Sequence, residues 1–382
     1  MSRRAGIVAP CRHGLALVVA TAGLACTADD DSTPDCVATF VIEAVAGPPG
    51  MPALGGISDL CVALTGGGAF RLWAVTDRGP NGQVPTSAGT RRSLLAPDFS
   101  PCLLELDAGP VREACRAAPA APARLAIETF LPLRTRSGRP ASGRPTGAGR
   151  DPPLVDHASR EPLAPDPDGI DSEAVAVLAD GSFWLAEEYG PALVHVAADG
   201  RMLARLVPAG SAAAGADAIV EPVLPAAYAG RRDHRGFEAL AVLAGEGRLA
   251  VLLQSPLAPD DDSGRRAGNV PLLVIDAATR RPVAEHLYRA GDPRQPRHAT
   301  HGNAPDDVKL CAMTPAGPGT LLVLEQGDDG SVWLAEEYGP ALVHVAADGR
   351  MLARLVPAGG VVAGADASVE PVLPAAYAGR RD

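Results

Sequence analysis

Residues 172–207 read SEAVAVLADGSFWLAEEYGPALVHVAADGRMLARLV, and this stretch decides the fold class. Residues 173–178 read as a strand closed by the turn Ala179-Asp180-Gly181, and residues 183–188 as a second strand ended by Tyr189-Gly190-Pro191. Residues 192–197 give a third, followed by Asp199-Gly200, and residues 201–207 a fourth. Asp-Gly pairs accept the positive φ that tight hairpins demand. Four antiparallel strands within roughly 40 residues make one propeller blade.

Outward from this stretch the pattern recurs. Residues 236–243, 248–254, 271–275 and 281–288 repeat the four strands, with an insertion at 255–270. Residues 57–64, 70–76, 101–106 and 111–117 give another copy with a longer insertion, and 308–313 and 320–325 begin a further one. A β-sandwich also spaces its strands evenly, but groups of four with insertions at a constant position favour the propeller. The expectation is therefore an all-β chain, a β-propeller of four-stranded antiparallel blades with an incomplete or rearranged closing blade.

Composition agrees. Aromatic residues make up 4% of the chain, while 42 Gly and 37 Pro lie between short apolar runs, so Val, Leu and Ala must build the core of many short strands. A net charge of −11 argues against nucleic acid as a partner, because phosphate backbones need clustered Lys and Arg. The one basic stretch, 134–150, is interrupted by Pro, Gly and Ser and reads as a solvated loop. An acidic protein acting on an anionic substrate needs a bridging cation.

The N-terminus has the three-part form of an export signal: Arg3, Arg4 and Arg12, an apolar run over 14–25, then small residues around Ala25. That run is shorter than the ~20 residues a transmembrane span requires, so no membrane span is expected. Cys26 follows and resembles a lipoprotein start, although Gly23 stands where such signals usually carry Leu. The two outcomes are a lipid anchor at Cys26 and simple secretion. The compartments that fit are the medium, the periplasm and the outer membrane of a bacterium. Export permits disulfides: Cys102 with Cys115 across the Gly109-Pro110 turn, and Cys36 with Cys61, leaving Cys311 over.

Residues 180–233 recur as 329–382 with differences only at 183/332, 211/360, 212/361, 213/362 and 219/368. Structural repeats conserve core positions and let turns and surface drift. Here all three are retained, which marks a genetic duplication or an error of gene assembly. The join falls inside the fourth copy of the blade pattern. The organisation expected is a signal at 1–26, a linker and first strand at 27–50, the propeller domain at 51–327, and at 328–382 a near-identical duplicate of 179–233.

Several motifs together resemble the phytase-like "esterase-like activity" family. They are Gly55-Gly56-Ile57-Ser58, Trp73-Ala74-Val75-Thr76-Asp77-Arg78-Gly79-Pro80-Asn81, Asp168-Gly169-Ile170-Asp171-Ser172-Glu173, Glu187-Glu188-Tyr189-Gly190-Pro191, Arg235-Gly236-Phe237-Glu238 and Leu253-Gln254-Ser255-Pro256-Leu257. The resemblance runs from Gly55 to Glu325. It implies a propeller-type fold rich in Asp and Glu, and hydrolysis of esters or phosphoesters. Two departures stand out: Lys309 takes the place of a usual acidic residue, and the duplicate replaces the family's C-terminal portion.

Aligning the starts of the blades brings Asp59, Glu173 and Glu238 to one position, and aligning second-strand ends brings Asp77, Glu188, Gln254 and Gln326 to another, with Glu187 and Glu325 one residue earlier. Converging carboxylates repel unless a cation lies among them, and Ca²⁺ takes ~6–8 oxygen ligands of this kind. The metal set expected is Asp59, Asp77, Glu173, Glu187, Glu188, Glu238 and Glu325, with Glu173, Glu188, Glu238 and His234 carrying catalysis. Arg78 and Arg235 are the residues expected to bind a small anionic or ester substrate. The bland alternative has these carboxylates capping turns or pairing with Arg78 and Arg235. His298 and His301 lack further spaced ligands and are weak support for zinc.

No Gly-x-Ser-x-Gly elbow or His-Glu-x-x-His motif occurs, and Gly66-Gly67-Gly68 joins two strands without opening a helix. Covalent serine catalysis and nucleotide binding are disfavoured. Three functions remain: a Ca²⁺-dependent phosphoesterase or esterase, a non-catalytic cell-surface propeller that binds through its loops, and a lactonase-like calcium propeller. None of these motifs encodes the oligomeric state.

Overall fold

The computed structural model describes residues 16–19, 38–42, 56–66, 69–86, 89–114, 123–147, 151, 153–211, 214–243, 247–258, 268–289, 309–317, 320–326, 332–336, 341–345, 351–357 and 368–373. The segments expected to hold the cleavage site, Cys26, Cys36, Cys115, His298 and His301 lie outside the described residues. No helix among the described residues is long and apolar enough to cross a membrane.

The chain forms two compact units. Ala44–Asp107 and Ile127–Ala290 make one; Met1–Glu43, Ala108–Ala126 and Gly291–Asp382 make the other. Among the described residues the first unit holds three successive sheets whose strands follow chain order, besides a small sheet of Asn81–Thr86, Gly89–Leu94 and Val155–Asp156. Sheet one is Ile57–Gly66, Ala69–Thr76, Cys102–Leu106 and Ile127–Pro132, all antiparallel. Sheet two is Ser172–Val177, Phe183–Glu187, Ala192–Val196 and Met202–Pro208, with Ile219–Leu224 added in parallel at its outer edge. Sheet three is Phe237–Leu243, Arg248–Leu253, Asn269–Asp276 and Arg281–Arg289. The first strand of sheet two lies against the first strands of both neighbours. Propeller blades adjoin in this way, innermost strand to innermost strand, and the fold is a β-propeller of four-stranded antiparallel blades.

Between sheets one and two the core is built from small and medium apolar residues, as the composition requires. Val75, Leu103, Val175, Leu185, Val194 and Met202 are buried there. Trp73 meets Phe183 edge to face, ring centroids 4.8 Å apart, a favoured geometry for aromatic pairs.

One expected strand is corrected. Of the strand expected at 111–117, the described residues 111–114 belong to a short helix, Gly109–Ala114, and Ile127–Pro132 is the fourth strand. Pro110, with its fixed φ and no N–H to leave unsatisfied, suits the first turn of a helix. Val111 is buried while Arg112 and Glu113 are exposed. The disulfide expectations fall with it. Cys102 is a buried thiol outside any disulfide whose Sγ donates to the Ser100 carbonyl at 3.3 Å, and Cys61 is likewise outside any disulfide.

In the second unit, Lys309–Gly317 and Thr320–Gln326 pair antiparallel, and the duplicate adds Val332–Glu336, Ala341–Val345, Met351–Pro357 and Ser368–Leu373 to give six strands in one sheet. The duplicate repeats the registers of sheet two residue for residue, Val332↔Val345 answering Phe183↔Val196. A rearranged blade is what the join at 327–330 led one to expect. Ala16–Val19, Ala38–Ile42 and Ala123–Leu125 form a separate small sheet.

Candidate functional site

The same irregularity opens every blade pattern. In sheet two, Ser172 pairs with Glu187 and Ala174 with Ala186, so Glu173 is an extra, bulged residue. Sheet three bulges Glu238 between Phe237 and Ala239, sheet one bulges Ser58 between Ile57 and Asp59, and the second unit bulges Cys311 between Leu310 and Ala312. A bulge re-aims one side chain and strengthens local twist. One backbone bond recurs beside it: Asp77 N to Gly56 O, Glu188 N to Asp171 O and Gln254 N to Gly236 O, at 2.9–3.0 Å. Asp77, Glu188 and Gln254 therefore occupy one equivalent position, as the alignment of second-strand ends anticipated.

The same register corrects Asp59. It stands one residue past the bulge, at the place of Ala174 and Ala239, and Ser58 is the true counterpart of Glu173 and Glu238. Its Oδ2 accepts the Val175 amide at 2.9 Å, tying sheet one to sheet two. Burial pushes its pKa up to about 7 against that hydrogen bond.

Three carboxylates do converge. Ligand oxygens of Asp171, Glu173 and Glu188 all lie within 4.8 Å of one another. Asp171 comes from the loop entering sheet two, Glu173 from the bulge, and Glu188 from the residue after the second strand. Arg78, in the loop after the second strand of sheet one, reaches in: its Nη1 lies 2.5 Å from Asp171 Oδ2 and 3.4 Å from Glu188 Oε2. The Arg78 amide also donates to Asp171 Oδ1 at 3.0 Å. His234, which precedes sheet three in a left-handed conformation (φ 50°), sets Nδ1 3.7 Å from Glu188 Oε2 and is buried.

Burying like charges together is costly and moves pKa values apart. Burial raises the pKa of Asp171 well above the usual carboxylate range, opposed by Arg78 and reinforced by Glu188. Burial likewise raises Glu173, and the charges of Asp171, Glu238 and Glu188 push it further up. Glu188 moves the other way: burial works against its ionisation, but His234 and Arg78 outweigh it and bring the pKa to about 2. Asp77 is raised to about 6 by burial, against the Gly79 amide and Arg78; its Oδ1 accepts the Gly79 amide at 2.8 Å, the bond of a turn.

Glu187 and Glu188 are neighbours with opposite surroundings. Glu187 Oε1 accepts the amides of Asp171 at 3.3 Å and Tyr189 at 3.0 Å, and its Oε2 pairs with Arg205 at 3.4 Å in the interior. Burial raises its pKa to about 8, against Arg205. It holds the backbone that presents Asp171 and Glu188 and is not among the three grouped carboxylates. Glu238 bears electrostatically on Glu173. Arg235 is half-buried beside His234, and its Nη1 makes no hydrogen bond among the described residues. Glu325 belongs to the second unit, buried in the second strand of its sheet.

Two glycines fix the main chain here. A Cβ on Gly143 would fall 1.9 Å from Arg78 O, and one on Gly236 would fall 2.2 Å from Glu188 O. Sequence reasoning passed over Asp171, although it stands two residues before Glu173 in the quoted Asp168–Glu173 motif. It also missed Arg205, whose partner lies across the sheet.

Fold and site together define a propeller protein with a buried carboxylate group at the entry of one blade. Residues 52–328 match the phytase-like family described as "esterase-like activity of phytase", and the chain belongs to that family. An "Uncharacterized secreted protein" of Arthroderma benhamiae is 30% identical over 134 residues, 31% of this chain and 26% of that protein's length. Among solved structures, the Dos1 propeller is 10% identical with a TM-score of 0.29, covering 77% of this chain and 66% of that one. Kuenenia stuttgartiensis hydrazine synthase is 9% identical with a TM-score of 0.28, covering 79% and 69%.

Proposed function

We propose that this protein is an exported hydrolase of phosphoester or ester bonds whose site holds Ca²⁺ between Asp171, Glu173 and Glu188. The grouping of three carboxylate donors within 4.8 Å, Asp171 and Glu188 buried and Glu173 half-buried, carries the reading. Hard oxygen donors suit Ca²⁺, and carbonyls and water complete its ~6–8 ligands. Bound there, the ion supplies Lewis acidity toward a phosphoryl or carbonyl oxygen. The chain's own residues do the rest. Glu188, held ionised, and His234 beside it are placed to pass a proton, Glu238 adds negative charge near Glu173, and Arg78 and Arg235 offer guanidinium groups to an anionic or ester substrate. Export agrees with the Arg-flanked apolar start of the chain and with the secreted relative; Cys26 is the residue a lipid would occupy.

A second reading has one observation in its favour. Arg78 already neutralises two of the carboxylates, which suits a non-catalytic propeller that binds partners through its loops. Thermal unfolding in EDTA and across a Ca²⁺ titration, with hydrolysis of chromogenic phosphomonoester and carboxylic ester substrates, separates the two. The hydrolase reading expects a midpoint that climbs with Ca²⁺ and activity abolished both by EDTA and by Glu173→Gln. A midpoint indifferent to Ca²⁺ and no turnover on either substrate would leave the binding module.

A further inference from the structure

Arg78 stands inside the carboxylate group. Its Nη1 contacts Asp171 Oδ2 and Glu188 Oε2, and its amide takes Asp171 Oδ1, so one residue engages both oxygens of Asp171. A divalent ion entering the same three carboxylates meets this guanidinium head-on. Two cations at contact distance in a buried site repel strongly, and one has to leave.

The main chain of Arg78 is not free to go. Gly143 packs so closely on the Arg78 carbonyl that a Cβ would overlap it, and the next residue, Gly79, is pinned at φ 104° by Asp77 Oδ1. The side chain is the part left to answer. His234 also faces Glu188: this ring is 8% exposed, points Nδ1 at Glu188 Oε2 3.7 Å away, and its Nε2 makes no hydrogen bond among the described residues. A buried imidazole whose Nδ1 faces Glu188 and whose Nε2 makes no hydrogen bond among the described residues is an independent sign that a ligand completes the site.

We propose that Arg78 is a resident counter-ion that Ca²⁺ displaces from Asp171 and Glu188, and that the displaced guanidinium then anchors the anionic group of the substrate. The proposal rests on the cation reading above. A guanidinium fork matches phosphate and carboxylate oxygens in two parallel hydrogen bonds. While held by Asp171 it is unavailable for that task. Cation and anion therefore bind cooperatively, and by linkage each tightens the other equally.

The test is calorimetric titration of Ca²⁺ into the wild-type chain, Arg78→Gln and Arg78→Lys, with and without inorganic phosphate. Arg78→Gln is expected to bind Ca²⁺ roughly tenfold tighter or more, because the competing charge is gone, and to lose the tightening by phosphate that the wild type shows. Arg78→Lys keeps the charge without the fork, and is expected to stay near wild-type Ca²⁺ affinity with the phosphate effect reduced. Ca²⁺ affinity unchanged or weaker in Arg78→Gln overturns the displacement; phosphate without effect on the wild type overturns the anchor. A wild type, Arg78→Gln and Arg78→Lys that all fail to bind Ca²⁺ would instead remove the cation reading itself, and this proposal with it. Should Arg78→Gln not fold, guanidinium ¹H–¹⁵N spectra of the wild type decide. The resonance missing from Arg78→Lys is expected to shift on Ca²⁺ addition, and its immobility overturns the proposal.

Discussion

Glu187 and Glu188 are consecutive and chemically alike, yet a single peptide bond turns one inward and leaves the other facing the site. Glu187 satisfies two amides and Arg205; Glu188 faces Arg78 and His234. Truncating one partner of a buried pair strands the other charge. Glu187→Ala should therefore cost about 3–5 kcal/mol in chemical denaturation, metal present or not. Glu188→Gln should also destabilise the metal-free fold, because Arg78 and His234 lose the carboxylate they face, and it should remove the response to Ca²⁺. Asp59 gives a prediction in pH. Its folded pKa lies near 7, above the unfolded value, so the folded state binds more protons between about pH 4 and 7 and stability falls as pH rises through that window. In EDTA, the melting midpoint should drop by roughly 3 °C or more from pH 5 to pH 8. Asp59→Asn should flatten that slope; an equal slope in the variant would show that Asp59 is not its source.

At the scale of elements, the bulge is the device that matters. One extra residue at the start of each first strand turns Glu173 and Glu238 out of the regular alternation, and the recurrent amide bond beside it sets Asp77, Glu188 and Gln254 at one level. The loops between blades are clamped by close backbone approach. Alanine at Gly236 must push against the Glu188 main chain, and alanine at Gly143 against that of Arg78. Either should destabilise by about 2 kcal/mol or more and blunt the Ca²⁺-induced rise in melting midpoint; a variant melting as the wild type does would mean the loops yield freely. The alternation of residues 173–207 and the Asp-Gly turns made sheet two readable in advance, because strand period and turn chemistry are local. The helix at Gly109–Ala114 was not, since Val111-Arg112-Glu113 is short enough to satisfy either period and burial of Val111 decided between them.

For the whole molecule, the duplicate and the site are separable. Apart from Glu325, every candidate site residue lies in the unit formed by Ala44–Asp107 and Ile127–Ala290, whereas the duplicate belongs to the other unit. A chain lacking residues 329–382 should therefore keep a Ca²⁺-dependent melting transition, checked by the same titration. Loss of the response would show that the second unit supports the site. What the sequence determined by itself was whatever depends on near neighbours: strands, turns, the propeller class, the duplication and the type of residue that would carry chemistry. What only the tertiary structure decided was which carboxylates meet. Arg78 reaches Asp171 across 93 residues and Glu188 across 110, and a one-residue shift at a bulge exchanges Asp59 for Ser58. Period and spacing report the face a side chain takes on its own strand. Only the packing of one blade against the next brings those faces to a common point.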